Sequence, residues 1–139
     1  MHNSTPGDPP ADLAHLILYV GDQERSTAFY QAALGCAPRL HVPGMTEFAL
    51  GSGLVLGLMP EAGIRRLLGD ALPAATPGQG VPRAELYLHV ADVGASHRRA
   101  LAAGAIELSP AAARDWGHEA AYSLDPDGYV LAFARALDK

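Results

Sequence analysis

Six side chains of this sequence fall on one parity of short alternating segments and carry most of the chemistry it offers. They are His15 and Tyr19 in HLILYV, Glu47 in TEFAL, and Glu85, Tyr87 and His89 in ELYLHV. Alternate residues of an extended chain share a face, so these groups point one way while the leucines and valines between them point the other. A carboxylate beside an imidazole orients the ring and exchanges a proton with it near neutral pH, which makes His15 and Glu85 candidates for general acid–base catalysis. Tyr19, Glu47, Tyr87 and His89 are expected to line a small-molecule pocket around that pair, with Val55, Gly57, Ala121, Ser123, Val130 and Ala132 as smaller wall residues. Trp116 sits in a loop with Gly117 and His118 where an aromatic ring closes over a ligand, and Glu119 is expected near the same wall. The same residues also read as ordinary structure: a strand-start histidine, an end-of-strand charge, a core tryptophan, a solvated sheet face.

Other chemistries find no foothold. The sequence has no glycine-rich phosphate loop, Ser-His-Asp arrangement or paired-cysteine zinc motif. DPDG, from Asp125, is a turn rather than a calcium loop, because the alternating carboxylates and the closing glutamate are missing. The single cysteine, Cys36, closes no disulfide within the chain and reads as a small buried hydrophobe; a reducing, cytoplasmic setting is expected. A formal net charge of −5 repels phosphate, so neither nucleic acid nor an anionic membrane is an expected partner. The apolar runs are too short to span a bilayer, and MHNSTPGDPPAD reads as a loose tail over residues 1–12 without a leader's charged and apolar regions. His97, Arg98 and Arg99 read as an exposed helix face.

The elements that must position these groups come from a duplication. HLILYVGDQERSTAFYQAAL, from His15, lies over ELYLHVADVGASHRRALAAG, from Glu85, seventy residues later; Leu16/Leu86, Leu18/Leu88, Val20/Val90, Asp22/Asp92 and Ser26/Ser96 coincide. Each copy opens with a strand. Asp22 and Asp92 then stand where a helix N-cap belongs, and helices are expected over Gln23–Leu34 and Val93–Ala103, stopped by Gly35 and Gly104. Three strands follow in each copy: about Ala37–Val42, Thr46–Leu50 and Leu54–Met59, then Ala105–Ser109, Ala120–Leu124 and Tyr129–Ala134. The reading is an α+β domain over residues 13–135, with a βαβββ module at 13–59, a second at 83–135, and a proline- and glycine-rich linker or lid at 60–82 holding a short helical patch, Ile64–Leu68. Two such sheets side by side would curve around a central cavity.

The repeated unit, HLILYVGDQERSTAFY from His15, and Trp116-Gly117 followed by DPDGYVLAF from Asp125 resemble the vicinal-oxygen-chelate superfamily, which holds glyoxalase I, extradiol dioxygenases and bleomycin-resistance proteins. The resemblance covers about residues 13 to 135. It implies a divalent-metal site drawn from the first and last strands of each module, at His15, Gly57, Glu85 and Ala132 in this sequence. Glycine and alanine offer no side-chain donor, so only His15 and Glu85 survive of that set, and no cofactor is expected beyond a divalent metal held by some shifted set. Three readings follow: a metal-free protein binding a small organic ligand, a metal-dependent glyoxalase-like lyase or isomerase, and a metal-free proton-transfer enzyme using His15 and Glu85. The resemblance also implies a homodimer, for which open sheet edges give a physical motive.

Overall fold

The computed structural model describes residues 7, 8, 10–73, 82 and 84–138. Most of the expected tail and the part of the linker at 74–81 therefore lie outside the described residues. The first module runs β1 (Ala14–Val20), α1 (Gln23–Leu34), β2 (Leu40–Val42), β3 (Met45–Gly51) and β4 (Leu54–Pro60). Next come α2 (Glu61–Leu68), a turn longer than the expected patch, and a short 3-10 turn at Gly69–Ala71. The second module repeats the first as β5 (Glu85–His89), α3 (Val93–Ala102), β6 (Ile106–Ala113), β7 (His118–Leu124) and β8 (Val130–Ala136). Each forms an open four-stranded mixed sheet, ordered β1-β4-β3-β2 and β5-β8-β7-β6, with the first strand parallel to the last. The fold is α+β with two βαβββ modules. Among the described residues no helix is long and apolar enough to cross a membrane.

The duplicated caps work alike. Asp22 accepts from the Arg25 amide at 3.0 Å and Asp92 from the Ala95 amide at 3.0 Å, each satisfying a donor that the first helical turn leaves free. Gly35 ends α1 in the left-handed region at φ 71°, a conformation that costs a side-chain-bearing residue more. Ser26, Phe29, Tyr30 and Ala33 repeat at helical spacing and bury one face of α1; Val93, Ser96, His97 and Ala100 do so for α3. The buried His97 corrects the exposed-face reading: its Nε2 lies 2.9 Å from Glu107 Oε2, so the imidazole finds a carboxylate instead of water. Cys36, in turn, is exposed rather than buried.

One core serves both modules. Leu18, Val20, Phe48, Leu56 and Leu58 join Leu86, Ala121, Leu131 and Phe133 in a single buried cluster with residues of α1 and α3. The opposite face of each sheet therefore points away from that core. In module one it carries His15, Ile17 and Tyr19, paired with Val55, Gly57 and Met59, then Glu47 opposite Gly57 and Ala49 opposite Val55. In module two Glu85, Tyr87 and His89 pair with Val130, Ala132 and Ala134, and Tyr122 and Leu124 oppose Ala132 and Val130. The expected parity of β7 is thus corrected: Ala121 and Ser123 pair with Phe133 and Leu131 and face the core, and Tyr122 and Leu124 take the outer wall. Small residues on both faces of AAYS leave the apolar pattern unable to choose a register.

The turn between β7 and β8 locks the modules together. Asp127 accepts from the Gly21 amide at 2.9 Å, from Arg25 Nη2 at 2.9 Å and from Ser26 Oγ at 2.6 Å, all at the start of α1. Tyr30 donates to Asp125, which also accepts from the amides of Asp127 and Tyr129 at 2.8 and 2.9 Å.

Candidate functional site

The outer wall of module two gathers aromatic and imidazole rings over a floor of small side chains. Ala120, Ala132 and Ala134 are fully buried, and Tyr87 and Tyr122 stand directly on either side of Ala132. The loop between β6 and β7 brings Trp116, 52% exposed, to this wall, and its indole Nε1 donates to the Tyr87 hydroxyl at 3.0 Å. That hydroxyl lies 2.7 Å from His118 Nδ1. His118 stacks on Tyr87 with ring centres 5.8 Å apart, and His89 meets His118 edge-on at 5.1 Å. If the phenol donates to His118, the ring's other nitrogen carries a free N–H; if His118 donates, the phenol keeps its own hydrogen. Either tautomer leaves a donor for a ligand. Next to this group the Arg114 guanidinium lies 5.3 Å from the Tyr122 ring centre, a cation–π distance. Burial, and then the charge of Glu85, raises the Tyr122 phenol above its ordinary value and keeps it a neutral donor.

Module one's wall is different. His15 Nδ1 lies 3.5 Å from Glu47 Oε2, and Arg39 Nε lies 2.9 Å from Glu47 Oε1. The carboxylate that reaches His15 is Glu47 of its own sheet, and among the described residues no ion pair joins His15 to Glu85. Among the described cavities none is lined by both His15 and Glu85, and the gap between β1 and β5 along Leu16, Leu18 and Leu86 holds only about 10 Å³. A cleft of about 390 Å³ is, however, lined by Ala49 of the first wall and by Tyr87 and His89 of the second. Tyr19, further along β1, lines a recess of about 390 Å³ with Tyr129, Glu61 and Arg65 under α2. Glu119 faces away from the wall and pairs with Arg135 at 2.7 Å. The structure thus joins Tyr87, His89 and Trp116, sets Glu85 beside Tyr122, and keeps Tyr19, Glu47 and Glu119 apart from them. His118, Arg114 and Tyr122 were missed in the sequence. The phase of β7 would have found His118 and Tyr122.

A divalent ion does not fit the four positions at which the superfamily holds one. Gly57 and Ala132 bring no donor, and the room above Gly57 is taken: a Cβ there would lie 3.0 Å from Ile17 Cγ1 and 3.3 Å from Met45 Sδ. His15 and Glu85 leave two ligands where about three are needed. Among the described residues no group of three or more His, Cys, Asp or Glu side chains is arranged to hold a metal ion.

Comparison with known proteins agrees with this architecture. A glyoxalase-related enzyme from Fulvimarina pelagi is 28% identical, with a TM-score of 0.75 over 88% of this chain and 86% of its own. A glyoxalase/bleomycin resistance protein/dioxygenase family enzyme from Burkholderia phytofirmans PsJN shares the fold at 23% identity and a TM-score of 0.78, over 91% of this chain and 100% of its own. A glyoxalase/bleomycin resistance protein/dioxygenase from Nocardioides does so at 24% identity and a TM-score of 0.73, over 94% and 86%. No curated protein matches the sequence. The family model of the Glyoxalase/Bleomycin resistance protein/Dioxygenase superfamily matches residues 12–133, and with its two βαβββ modules the chain belongs to that superfamily.

Proposed function

We propose that this protein binds a small, planar organic molecule on the wall formed by Trp116, Tyr87, His118 and His89, without a metal ion. The observation that carries the reading is the hydrogen-bonded relay from the Trp116 indole through the Tyr87 hydroxyl to His118. A half-exposed tryptophan held in place by its N–H offers a ring face at little entropic cost, and the relay adds a polar group that fixes orientation. The donor set at the superfamily's metal positions supports binding over Lewis-acid catalysis. The lack of a His15–Glu85 pair in one chain weakens the proton-transfer reading, so those residues are assigned no catalytic role. We also propose that the binding form is a homodimer, in which a second copy covers the exposed wall; Ile17 and Tyr19, 39% and 38% exposed, are apolar surface for it to bury.

Trp116 is the only tryptophan, so its fluorescence reports on the wall directly. Titration with a panel of planar heteroaromatic compounds should give a saturable change for at least one member. Tyr87→Phe and His118→Ala should each weaken it by about tenfold, the worth of a well-made hydrogen bond. No response across the panel, or a response that both variants leave intact, would contradict the proposal.

A further inference from the structure

The module-two hairpin turn is bound to the start of α1, whereas of the module-one turn only Leu50 lines the space beside α3, and the difference leaves a cleft there. Leu50-Gly51-Ser52-Gly53-Leu54 and Asp125-Pro126-Asp127-Gly128-Tyr129 hold the same place in their hairpins, between the paired residues Ala49 and Val55 and the paired residues Leu124 and Val130. Both turn on a glycine of positive φ, 83° at Gly53 and 86° at Gly128. In the second turn Asp127 fills a carboxylate nest at α1 made by the Gly21 amide, Arg25 and Ser26, and Asp125 takes the Tyr30 hydroxyl. Across the duplication Ser26 corresponds to Ser96 and Tyr30 to Ala100, and across the hairpins Asp127 corresponds to Ser52 and Asp125 to Leu50. The first turn thus carries no carboxylate to α3, and α3 carries no tyrosine to the turn.

What remains there is a cleft of about 390 Å³, with Leu50, Cys36, His89, Ser96, Arg99 and Phe133 on its walls and no acidic side chain among its lining residues. Ser96 is 5% exposed, and among the described residues its hydroxyl has no hydrogen-bond partner, although its counterpart Ser26 binds Asp127. Arg99, three residues on and hence on the same helix face, donates from Nε to the Ala33 carbonyl at 3.2 Å. Its Nη1 lies over Gly35, without a partner among the described residues. A solvent-reachable hydroxyl and a guanidinium nitrogen without a protein partner, set on one helix face in a chain of net charge −5, make a local site for an anion.

We infer that this cleft binds a small carboxylic acid with an apolar body. Ser96 and Arg99 hold its carboxylate as Ser26 and Arg25 hold that of Asp127, and the aromatic and aliphatic walls take the rest. The cleft borders the Trp116 wall and shares Tyr87 and His89 with it, while Trp116 and His118 do not line it.

Cys36, the only cysteine, is exposed at this cleft and gives the readout. Its alkylation by neutral iodoacetamide is followed by intact mass in the presence of benzoate or of the uncharged benzamide. Benzoate should slow the reaction saturably and benzamide should not. Ser96→Ala and Arg99→Met should each weaken protection by about tenfold, the scale of one charge-assisted bond. Ser52→Asp should abolish it, because the chain then supplies its own carboxylate at the position equivalent to Asp127. Circular dichroism of each variant ensures that only folded chains are compared, and Ser52→Asp keeps both wall residues intact should Arg99→Met not fold. Absent protection by benzoate, equal protection by benzamide, or wild-type protection in Ser52→Asp would overturn the inference.

Discussion

Asp125 shows how a single residue ties acid–base behaviour to the fold. It is buried beneath its turn, and burial raises its carboxyl above the ordinary aspartate range against the pull of the Tyr30 hydroxyl and two amides. Burial first, and the Asp125 charge second, raise the Tyr30 phenol well above its ordinary value, so Tyr30 stays the neutral donor of the pair. The folded carboxyl keeps its proton to a higher pH than the unfolded chain does. Its contribution to stability is therefore complete below the ordinary aspartate pKa and is lost as pH rises through the raised one. Urea midpoints measured from acid to neutral pH should fall more through that window for the native chain than for Asp125→Asn; parallel curves would contradict this. Much at this scale was legible beforehand, including both N-cap aspartates and the Asp125 turn. His97 was misread, because the carboxylate that makes its burial tolerable comes from a neighbouring strand that helix spacing does not reveal.

At the scale of elements, alternation placed His15 and Tyr19 of β1, Glu47 of β3, and Val55 and Gly57 of β4 on the wall, but neither Met45 nor Met59. It failed on β7, where Ala120, Ala121 and Ser123 give neither face a preference and only pairing with β8 sets the phase. The Trp116 loop was legible as a candidate, but its bond to Tyr87 joins residues 29 apart in sequence, and no local pattern encodes that. Register also explains Gly57, whose missing side chain lets Ile17 and Met45 close over the strand. Gly57→Ala should destabilise the protein by about 1–3 kcal/mol through overpacking. Adding Ile17→Val should recover part of the loss, because the two sites share one contact. Chemical denaturation of the two single variants and the double variant measures this, and strict additivity would refute the contact.

For the whole molecule, the duplication predicted two related modules, which the structure contains, and a hollow between them, of which the described residues show a cleft lined by Ala49, Tyr87 and His89. The sequence carried no record of which faces meet, since that depends on the docking of the module-two turn onto α1. Asp127→Ala removes three hydrogen bonds joining the modules, one of them from an arginine, and should cost about 3 kcal/mol while keeping a single unfolding transition. Two separate transitions in the native chain would show that the shared core does not unite the modules. Light scattering at tens of micromolar should return twice the chain mass of 14.5 kDa, and a monomeric mass would remove the proposed dimer. The central claim is that the Trp116 wall holds an organic ligand unaided by a metal. It is tested most directly by titrating a responding ligand against Trp116 fluorescence in excess chelator, and again after adding Mn²⁺, Ni²⁺, Zn²⁺ or Fe²⁺. The same affinity in every case is the predicted result; binding that vanishes with chelator and returns with one of the ions would contradict it.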